Sequence, residues 1–220
     1  MVDMKLEQAR HNMIEQQIRP WEVLDQQVLD LVQRTPREEF VPHQYRRLAF
    51  TDMEIPLGYG QSMMPPRLEA RMLQALAVQP GDRALEIGTG SGYVTALLAQ
   101  LAHQVDSVEI HPEFKATAER NLARYMFTNV TLELGDAARG WPEHGTYDVI
   151  AVTGSMPVLA AQLKHMLNVG GRLFVIVGEA PVMEAQLITR RGDNEWSTES
   201  LFETVVPPLV NALQAQAFVL

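Results

Sequence analysis

Cysteine is absent from this sequence of 220 residues, and basic residues are scarce. Without cysteine there is no disulfide, no thiolate metal ligand and no cysteine nucleophile, a composition that fits a reducing compartment. Only 18 lysines and arginines stand against 27 acidic residues, and no basic run is longer than two residues. The formal net charge of −9 therefore disfavours nucleic acid and anionic membrane surfaces as partners.

Long apolar runs are also missing. No stretch approaches the roughly 20 apolar residues that a membrane-spanning helix needs. The first residues, MVDMKLEQARHNMIEQQ, carry acids and glutamines where a secretory signal has an apolar core, so we expect a cytoplasmic protein. None of the six histidines has a neighbour at metal-ligand spacing, and we expect no metal. No segment marks an obligate interface, so no oligomeric state is predicted.

The first 65 residues form a helical region that ends in an unusual segment. In WEVLDQQVLDLVQR, apolar residues recur at helical spacing, and Pro36 and Pro42 interrupt the sequence that follows. The stretch GYGQSMMPP combines two glycines with a polar pair, two methionines and two prolines. It predicts a loop, after which Pro66 begins a helix. We expect region 1–65, with this covering loop, to pack over the ligand-binding end of a domain formed by residues 66–220.

Residues 66–220 alternate between predicted strands and helices. The strands are RALEIG, VDSVEI, VTLEL, YDVIAVT and RLFVIVG, and the helices include GYVTALLAQLA, PEFKATAERNLARY and VLAAQLKHML. Largely apolar strands that alternate with helices predict a parallel sheet covered on both faces. AQLITRR, ESLFETVV and the final AQAFVL predict further strands at an antiparallel edge. The predicted fold class is α/β, a Rossmann-like, doubly wound, mostly parallel sheet of about seven strands with an N-terminal helical extension.

A glycine-rich turn, LEIGTGSGY, joins the first of these strands to its helix and contains Gly88, Gly90 and Gly92. Doubly wound sheets bind ligands at this place, beyond the carboxyl ends of the strands. Glu109 ends the next strand, 21 positions after Gly88, the separation typical of a carboxylate that binds ribose hydroxyls. Glycine also has a purely conformational use in such turns, but the context predicts a ligand that contains a nucleoside.

Charge distinguishes among nucleoside ligands. The dinucleotide pattern G-x-G-x-x-G is broken because the third glycine comes one residue early, and no Gly-Lys-Ser/Thr follows for a P-loop. Glu86 lies two residues before Gly88, where a carboxylate repels pyrophosphate and attracts a cation. S-adenosylmethionine carries a sulfonium and an ammonium but no phosphate, so the pattern favours it over NAD. Asp136 ends the third strand, where it either accepts a hydrogen bond from adenine or forms a Gly-Asp turn.

Several blocks of the sequence resemble the protein-L-isoaspartate O-methyltransferases, class I enzymes that depend on S-adenosylmethionine. The blocks, in family order, are PREEFVP, AFTDMEIPLGYGQ, LEIGTGSGY, GDAARGWPEHGTYDVIAVT and LNVGGRLFVIVG, and together they cover most of the chain. The resemblance implies a Rossmann-like core and methylation of a carboxylate in a peptide or damaged protein, with S-adenosylhomocysteine as product. It also implies that Glu109 binds the ribose and Asp136 the adenine.

The family's loop reads approximately Gly-x-x-Gln-Thr-Ile-Ser-x-Pro. Here Gln61 matches the glutamine, Ser62 replaces the threonine, and Met64 replaces the serine regarded as the active-site residue. A thioether donates no hydrogen bond, so Ser62 is the remaining candidate for a catalytic hydroxyl. The candidate cofactor-binding residues are Gln61, Ser62, Glu86, Gly88, Thr89, Gly90, Gly92, Glu109, Ile110, His111, Asp136 and Ala137.

Loss of this serine does not exclude methyl transfer. A carboxylate substrate is ionised at neutral pH and needs no general base, so such an enzyme mainly aligns the reacting groups and excludes water. We expect an S-adenosylmethionine-dependent O-methyltransferase that acts on a carboxylate, most simply L-isoaspartate in damaged protein. Two alternatives stay open at this point: a methyltransferase for another peptide or small molecule, and a non-catalytic protein that binds the cofactor.

Overall fold

The computed structural model of the protein describes residues 2–215. The N-terminal part is helical, as the sequence predicts: α1 spans Val2–Met13 and α2 spans Gln26–Arg34, with a π-helical and a 3₁₀ turn between them. Asp25 caps α2, because its carboxylate accepts a hydrogen bond of 2.8 Å from the backbone N–H of Gln27. The apolar face of α2 is buried and consists of Val28, Leu29, Leu31 and Val32.

The segment GYGQSMMPP contributes to a β-hairpin, so the prediction of a loop was wrong. Strand β1 spans Ile55–Gly58 and strand β2 spans Gln61–Met63, paired antiparallel through a two-residue turn. Both turn residues have positive φ, 52° at Tyr59 and 74° at Gly60, which suits a tight hairpin. Of the two glycines that predicted a break in regular structure, Gly58 ends β1 and Gly60 forms the turn together with Tyr59. Pro66 begins the next helix, as expected.

Seven strands form one sheet within the described residues, which confirms the predicted α/β fold. The strands, in chain order, are β3 (Arg83–Ile87), β4 (Gln104–Glu109), β5 (Val130–Leu134), β6 (Tyr147–Met156), β7 (Leu167–Glu179), β8 (Val182–Gly192) and β9 (Glu195–Thr204). The accompanying helices are α3 (Pro66–Leu76), α4 (Tyr93–Ala99), α5 (Pro112–Ala123) and α6 (Ala161–His165). The spatial order is β5-β4-β3-β6-β7-β8-β9, parallel from β5 to β7 and antiparallel at β8 and β9.

Several elements differ from their predicted extents. The predicted helix VLAAQLKHML is reduced to the five residues of α6, because the chain bends at its start, around Val158, and β7 already begins at Leu167. The two predicted edge strands are correct in type but longer, with 11 residues in β8 and 10 in β9. The final predicted strand, AQAFVL, lies outside the described residues apart from Ala215.

The strand order determines where a ligand binds. From β3 the chain continues to β4 and β5 on one side of the sheet, and later to β6 and β7 on the other. Parallel sheets form a crevice at such a switch point, beyond the carboxyl ends of the strands. The glycine-rich turn follows β3 and Glu109 ends β4, so the fold brings these two predicted features to the same edge.

Both faces of the sheet are buried. One hydrophobic cluster joins the N-terminal helices to α3, α4 and one face of the sheet, and includes Leu31, Met72 and Phe174. A second cluster covers the opposite face and includes Ile150 of β6 and Leu163 of α6. Within the part of the chain that the structure describes, no helix is long and apolar enough to cross a membrane.

A buried ion pair connects the N-terminal region to the rest of the molecule. The Arg37 guanidinium is 1% exposed and donates to both carboxylate oxygens of Glu69 on α3, at 2.9 and 3.1 Å. It also donates to the carbonyl oxygens of Ala49 and Met64, each at 2.7 Å. Burial raises the pKa of Glu69, and the charge of Arg37 opposes that effect. The domain boundary expected at residue 66 crosses these contacts, and the division into two regions stays a prediction.

Replacing Arg37 with methionine should destabilise the fold strongly. The substitution leaves the Glu69 carboxylate buried without its cation, which costs about 3–5 kcal/mol in comparable cases. The free energy of unfolding, measured by urea titration, should fall by that amount. Arg19→Met is the matched control: Arg19 pairs with Glu15 on an exposed helical surface, and its loss should cost less than about 1 kcal/mol. Equal losses for the two variants would show that the buried pair carries no special share of the stability.

Candidate active site

The turn after β3 requires glycine at two positions. Gly88 has a φ of 97°, and a Cβ atom there would lie 2.5 Å from the hydroxyl oxygen of Thr153. Gly92 has a φ of 83°, and its Cβ would lie 3.1 Å from the Cβ of Ala118 on α5. Any side chain would meet both backbone strain and a neighbouring atom. Glycine therefore lets the turn pass close to β6 and α5.

Glu109 joins the end of β4 to this turn. Its carboxylate accepts hydrogen bonds from two backbone N–H groups, that of Gly90 at 2.8 Å and that of His111 at 2.9 Å. The side chain is 4% exposed and lies in the wall of a cavity at the switch point. The two bonds hold the carboxylate in one orientation, while each oxygen keeps acceptor capacity for a ligand hydroxyl.

Glu86 lies inside β3 and is fully buried. Its Oε2 accepts hydrogen bonds from the hydroxyls of Thr95 at 2.5 Å and Ser107 at 2.6 Å, whereas Oε1 makes none with the described residues. Burial raises the pKa of this carboxyl to about 8, although the two hydroxyls act in the opposite direction. The sequence alone predicts an anion at this position, whereas burial favours the neutral form of the carboxyl.

Asp136 follows β5 and is held from two sides. Its Oδ1 accepts a hydrogen bond from the backbone N–H of Ala138 at 3.0 Å, and Oδ2 accepts one from the side-chain amide of Asn211 at 2.8 Å. The first bond is the turn that the sequence offered as the alternative explanation of this residue. Asp136 also lines the cavity beside Ala137, so the turn and a ligand contact are compatible.

The hairpin β1–β2 lies at the cavity's opening and is held on both sides. Leu57, Gln61 and Ser62 line the cavity. Ser62 donates its hydroxyl hydrogen to the carboxylate of Glu54 at 2.9 Å, and Gln61 donates to the carbonyl oxygen of Pro208 at 3.3 Å. The hairpin therefore contacts both the segment before it and the C-terminal part of the chain.

Aromatic rings attach the tip of the hairpin to the end of β4. Tyr59 stacks on His111 with ring centroids 4.6 Å apart and an interplanar angle of 9°. Phe114, in the first turn of α5, meets both rings at steep angles. Such pairs contribute about 0.5–1.5 kcal/mol beyond their buried area. The stack keeps the hairpin tip beside the cavity wall that His111 and Phe114 form.

Met64, at the position of the family's serine, is buried beneath the hairpin with 4% of its surface exposed. It belongs to the hydrophobic cluster that contains the N-terminal helices. It also lines a smaller cavity of about 310 Å³, next to Ser62 and Glu86. Its thioether offers this cavity an apolar surface and no hydrogen-bond donor.

The cavity at the switch point, here called the main cavity, has an empty volume of about 560 Å³, part of it open to solvent. It brings together nine of the candidate residues: Gln61, Ser62, Gly88, Gly90, Glu109, Ile110, His111, Asp136 and Ala137. Glu86 and Thr89 line only the adjoining smaller cavity, and Gly92 lines neither. Among residues 2–215, no group of three His, Asp or Glu side chains is arranged to hold a metal ion, and the expectation of no metal stays a prediction.

Sequence reasoning missed the apolar part of the cavity wall. That part includes Leu57, Val108, Phe114, Leu209 and Val210. Apolar residues at these positions carry no chemical signature that separates them from ordinary core residues. The Pro-Pro pair before Leu209 marks irregular backbone but does not indicate which strand end that backbone covers.

Glu86→Gln should flatten the pH dependence of stability. The folded protein binds this proton more tightly than the unfolded chain, because burial raises the pKa to about 8. The group therefore contributes stability below its ordinary pKa, and this contribution is lost as pH rises toward 8. Relative to Glu86→Gln, the unmodified protein should lose at most about 1.4 kcal/mol of unfolding free energy per pH unit. Urea titrations between about pH 5 and 8 measure this, and parallel curves would contradict the raised pKa.

Comparison with known proteins identifies related sequences over nearly the whole chain. The family model of protein-L-isoaspartate(D-aspartate) O-methyltransferase (PCMT) matches residues 8–214. A relative from Marinobacter nauticus, named protein-L-isoaspartate O-methyltransferase 2, is 40% identical over 206 residues, covering 93% of this chain and 94% of the relative. A protein-L-isoaspartate O-methyltransferase from Synechococcus is 38% identical over 207 residues, covering 91% and 85%.

Solved structures show the same architecture. A protein-L-isoaspartate O-methyltransferase superposes with a TM-score of 0.78 at 26% identity, over 93% of this chain and 67% of that one. A putative protein-L-isoaspartate O-methyltransferase from Plasmodium falciparum, in complex with S-adenosyl-L-homocysteine, gives a TM-score of 0.77 over 93% and 97%. At 19% identity, this second likeness shows the fold alone. Because the family model and the relatives span almost all of its length, the chain belongs to the protein-L-isoaspartate(D-aspartate) O-methyltransferase family.

Proposed function

We propose that the protein transfers a methyl group from S-adenosylmethionine to the free carboxylate of an L-isoaspartyl residue in a peptide or damaged protein. One observation carries the proposal: in a chain of this family, nine candidate residues from four separate segments line a single cavity at the switch point. The substrate is then a protein or peptide that bears a carboxylate. The expected cytoplasmic location and the expected lack of a nucleic-acid partner stay predictions.

The residues of the cavity fit S-adenosylmethionine. The carboxylates of Glu109 and Asp136 are acceptors for hydroxyl and amino donors, and Ile110 and Leu209 supply apolar surface for a flat base. The buried Oε1 of Glu86, without a partner among the described residues, is a polar atom beside the adjoining cavity that is available to a ligand. No lysine or arginine lines either cavity, so a phosphate ligand would meet carboxylates without a cation.

We assign the ribose to Glu109, the adenine to Asp136 and the methionine moiety to the side of the cavity covered by Gln61 and Ser62. When bound, S-adenosylmethionine supplies a methyl group activated by a positively charged sulfur. The chain itself holds the two reactants in line and excludes water, which lowers the barrier by several kcal/mol. The substrate carboxylate is already ionised at neutral pH, so no residue has to remove a proton.

Ser62 is the hydroxyl that we assign to the substrate side. In the structure its hydrogen is donated to Glu54, so the hydroxyl has to turn away from that carboxylate to donate to a substrate. Met64, which replaces the family's serine, lines the adjoining cavity with an apolar surface. The substrate carboxylate therefore has fewer donors around it than the family's loop pattern provides, and we expect a lower rate rather than a different reaction.

Labelled methyl should pass from S-adenosylmethionine to an isoaspartyl peptide, and not to the same peptide with ordinary aspartate. Met64→Ser should raise kcat/KM for that peptide roughly tenfold, because one restored hydrogen bond to a charged group contributes about 1.5 kcal/mol. Met63→Ile is the matched control. Met63 is the buried residue immediately before Met64, and the replacement adds no donor, so the rate should stay within about twofold of the unmodified protein.

Three outcomes are informative for this experiment. No transfer by either the unmodified protein or Met64→Ser would contradict the proposed substrate. Equal rates for these two proteins would show that Met64 does not limit the reaction. A gain in Met63→Ile as large as in Met64→Ser would assign the effect to loop packing rather than to the hydroxyl.

Glu109→Ala should weaken binding of S-adenosylhomocysteine roughly ten- to a hundredfold, since hydrogen bonds to a charged acceptor contribute about 1.5–3 kcal/mol. Isothermal titration calorimetry measures the affinity, and circular dichroism verifies the fold. Glu119→Ala is the control. Glu119 is an exposed carboxylate on α5, the helix that follows Glu109, and it lines neither the main nor the smaller cavity. An affinity equal to that of the control would remove Glu109 from the binding site.

A further inference from the structure

After β9 the chain crosses the carboxyl ends of the central strands as a segment, residues 205–214, that we call the C-terminal strap. Ser155, buried near the end of β6, holds the strap at three points. Its N–H donates to the carbonyl of Pro207 at 3.0 Å, and its carbonyl accepts from the N–H of Leu209 at 2.9 Å. Its hydroxyl donates to the carbonyl of Val206 at 2.9 Å. The first half of the strap is therefore fixed to the sheet.

The middle of the strap packs against glycines. A Cβ atom on Gly154 would lie 2.8 Å from the Leu209 side chain, and one on Gly88 would lie 3.6 Å from it. Leu209 thus occupies space that only glycine leaves open at the end of β6. Further along the strap, Ala212 is buried and donates its N–H to the carbonyl of Leu209 at 3.2 Å. The backbone is therefore anchored at Leu209, before Asn211, and at Ala212, after it.

Asn211 directs its side chain at the cavity wall. Its φ of 62° is a left-handed conformation that asparagine adopts more readily than most residues. Its side-chain amide donates to Oδ2 of Asp136 at 2.8 Å, while the N–H of Ala138 donates to Oδ1 at 3.0 Å. One donor on each oxygen fixes the carboxylate plane. Each oxygen keeps acceptor capacity for a further donor.

We propose that Asn211 is a positioning residue for recognition of the cofactor's base: it orients the Asp136 carboxylate so that this group accepts the amino group of adenine. The proposal deepens the proposed function and rests on the role assigned there to Asp136. The 6-amino group of adenine is a donor, whereas hypoxanthine carries an oxo acceptor at the same place. An oriented carboxylate therefore selects adenine, and a carboxylate free to rotate selects it less well.

Asn211 is suited to a test because its side chain is exposed and carries little of the core. Its removal should leave the fold intact, so a change in base preference reports on Asp136 rather than on stability. Asn211→Ala removes the donor, and Asn211→Asp places a second carboxylate against Asp136. Gln214→Ala is the matched control, because Gln214 is an exposed amide on the same strap and, within the described residues, its side chain donates to the backbone carbonyl of Ala212.

The experiment measures Kd by calorimetry for S-adenosylhomocysteine and for S-inosylhomocysteine, its hypoxanthine analogue. The quantity compared is the ratio of the two Kd values. In Asn211→Ala the preference for adenine should fall roughly three- to tenfold, the equivalent of one hydrogen bond. In Asn211→Asp it should fall further, because the two carboxylates repel each other. Gln214→Ala should keep the ratio of the unmodified protein, and thermal melting should be alike for all these proteins.

Asp136→Ala separates the failure of this inference from the failure of the proposed site. If Asp136→Ala lowers the ratio and Asn211→Ala does not, the positioning role of Asn211 is wrong and the assignment of Asp136 stands. If Asp136→Ala leaves the ratio unchanged, the assignment of Asp136 is wrong, and the role of Asn211 is lost with it. A tenfold weakening of both ligands by Asn211→Ala, with no change in ratio, would make Asn211 a general strap contact and also overturn the inference.

Discussion

The geometry of the site depends on one buried carboxylate that two strand ends share. Glu109 ends β4, and its oxygens accept the backbone N–H of Gly90 from the turn after β3 and that of His111 from its own strand end. Without these acceptors two partly buried donors would lose their partners, and such a loss costs up to about 1–3 kcal/mol where the donor is shielded from water. The same group faces the cavity, so the interaction that shapes the turn also presents a charged acceptor to a ligand.

A second buried charge places the hairpin over that cavity. Arg37 reaches the backbone carbonyl of Met64 and the carboxylate of Glu69, and so links the end of the hairpin to α3. Because the anchored atom at position 64 is a carbonyl oxygen, the side chain there is replaceable without loss of the anchor. A methionine at position 64, which the resemblance aligns with the family's serine, is therefore compatible with a hairpin that keeps Gln61 and Ser62 at the cavity.

Several features followed from the sequence because their signals are local. Strand and helix alternation, the glycines of the turn and the spacing to Glu109 depend on residues close together in the chain, and the structure confirms the fold that they predict. The hairpin was mistaken for a loop because the positive φ of Tyr59 has no signature in the residue itself. The burial of Glu86, which raises its pKa, was missed for a related reason, since neither burial nor the surrounding hydroxyls can be seen along one strand.

The sequence by itself determined the α/β class, the resemblance to the family and most of the polar residues around the cavity, because these depend on residue type and short-range order. Only the tertiary structure decided the burial of Glu86, with its raised pKa, and the apolar part of the cavity wall. It alone also brought Asn211 to Asp136, which lies 75 residues earlier in the chain. Burial and long-range contacts arise when distant segments pack together, and the physical state of a carboxylate follows from the atoms that surround it rather than from its neighbours in sequence.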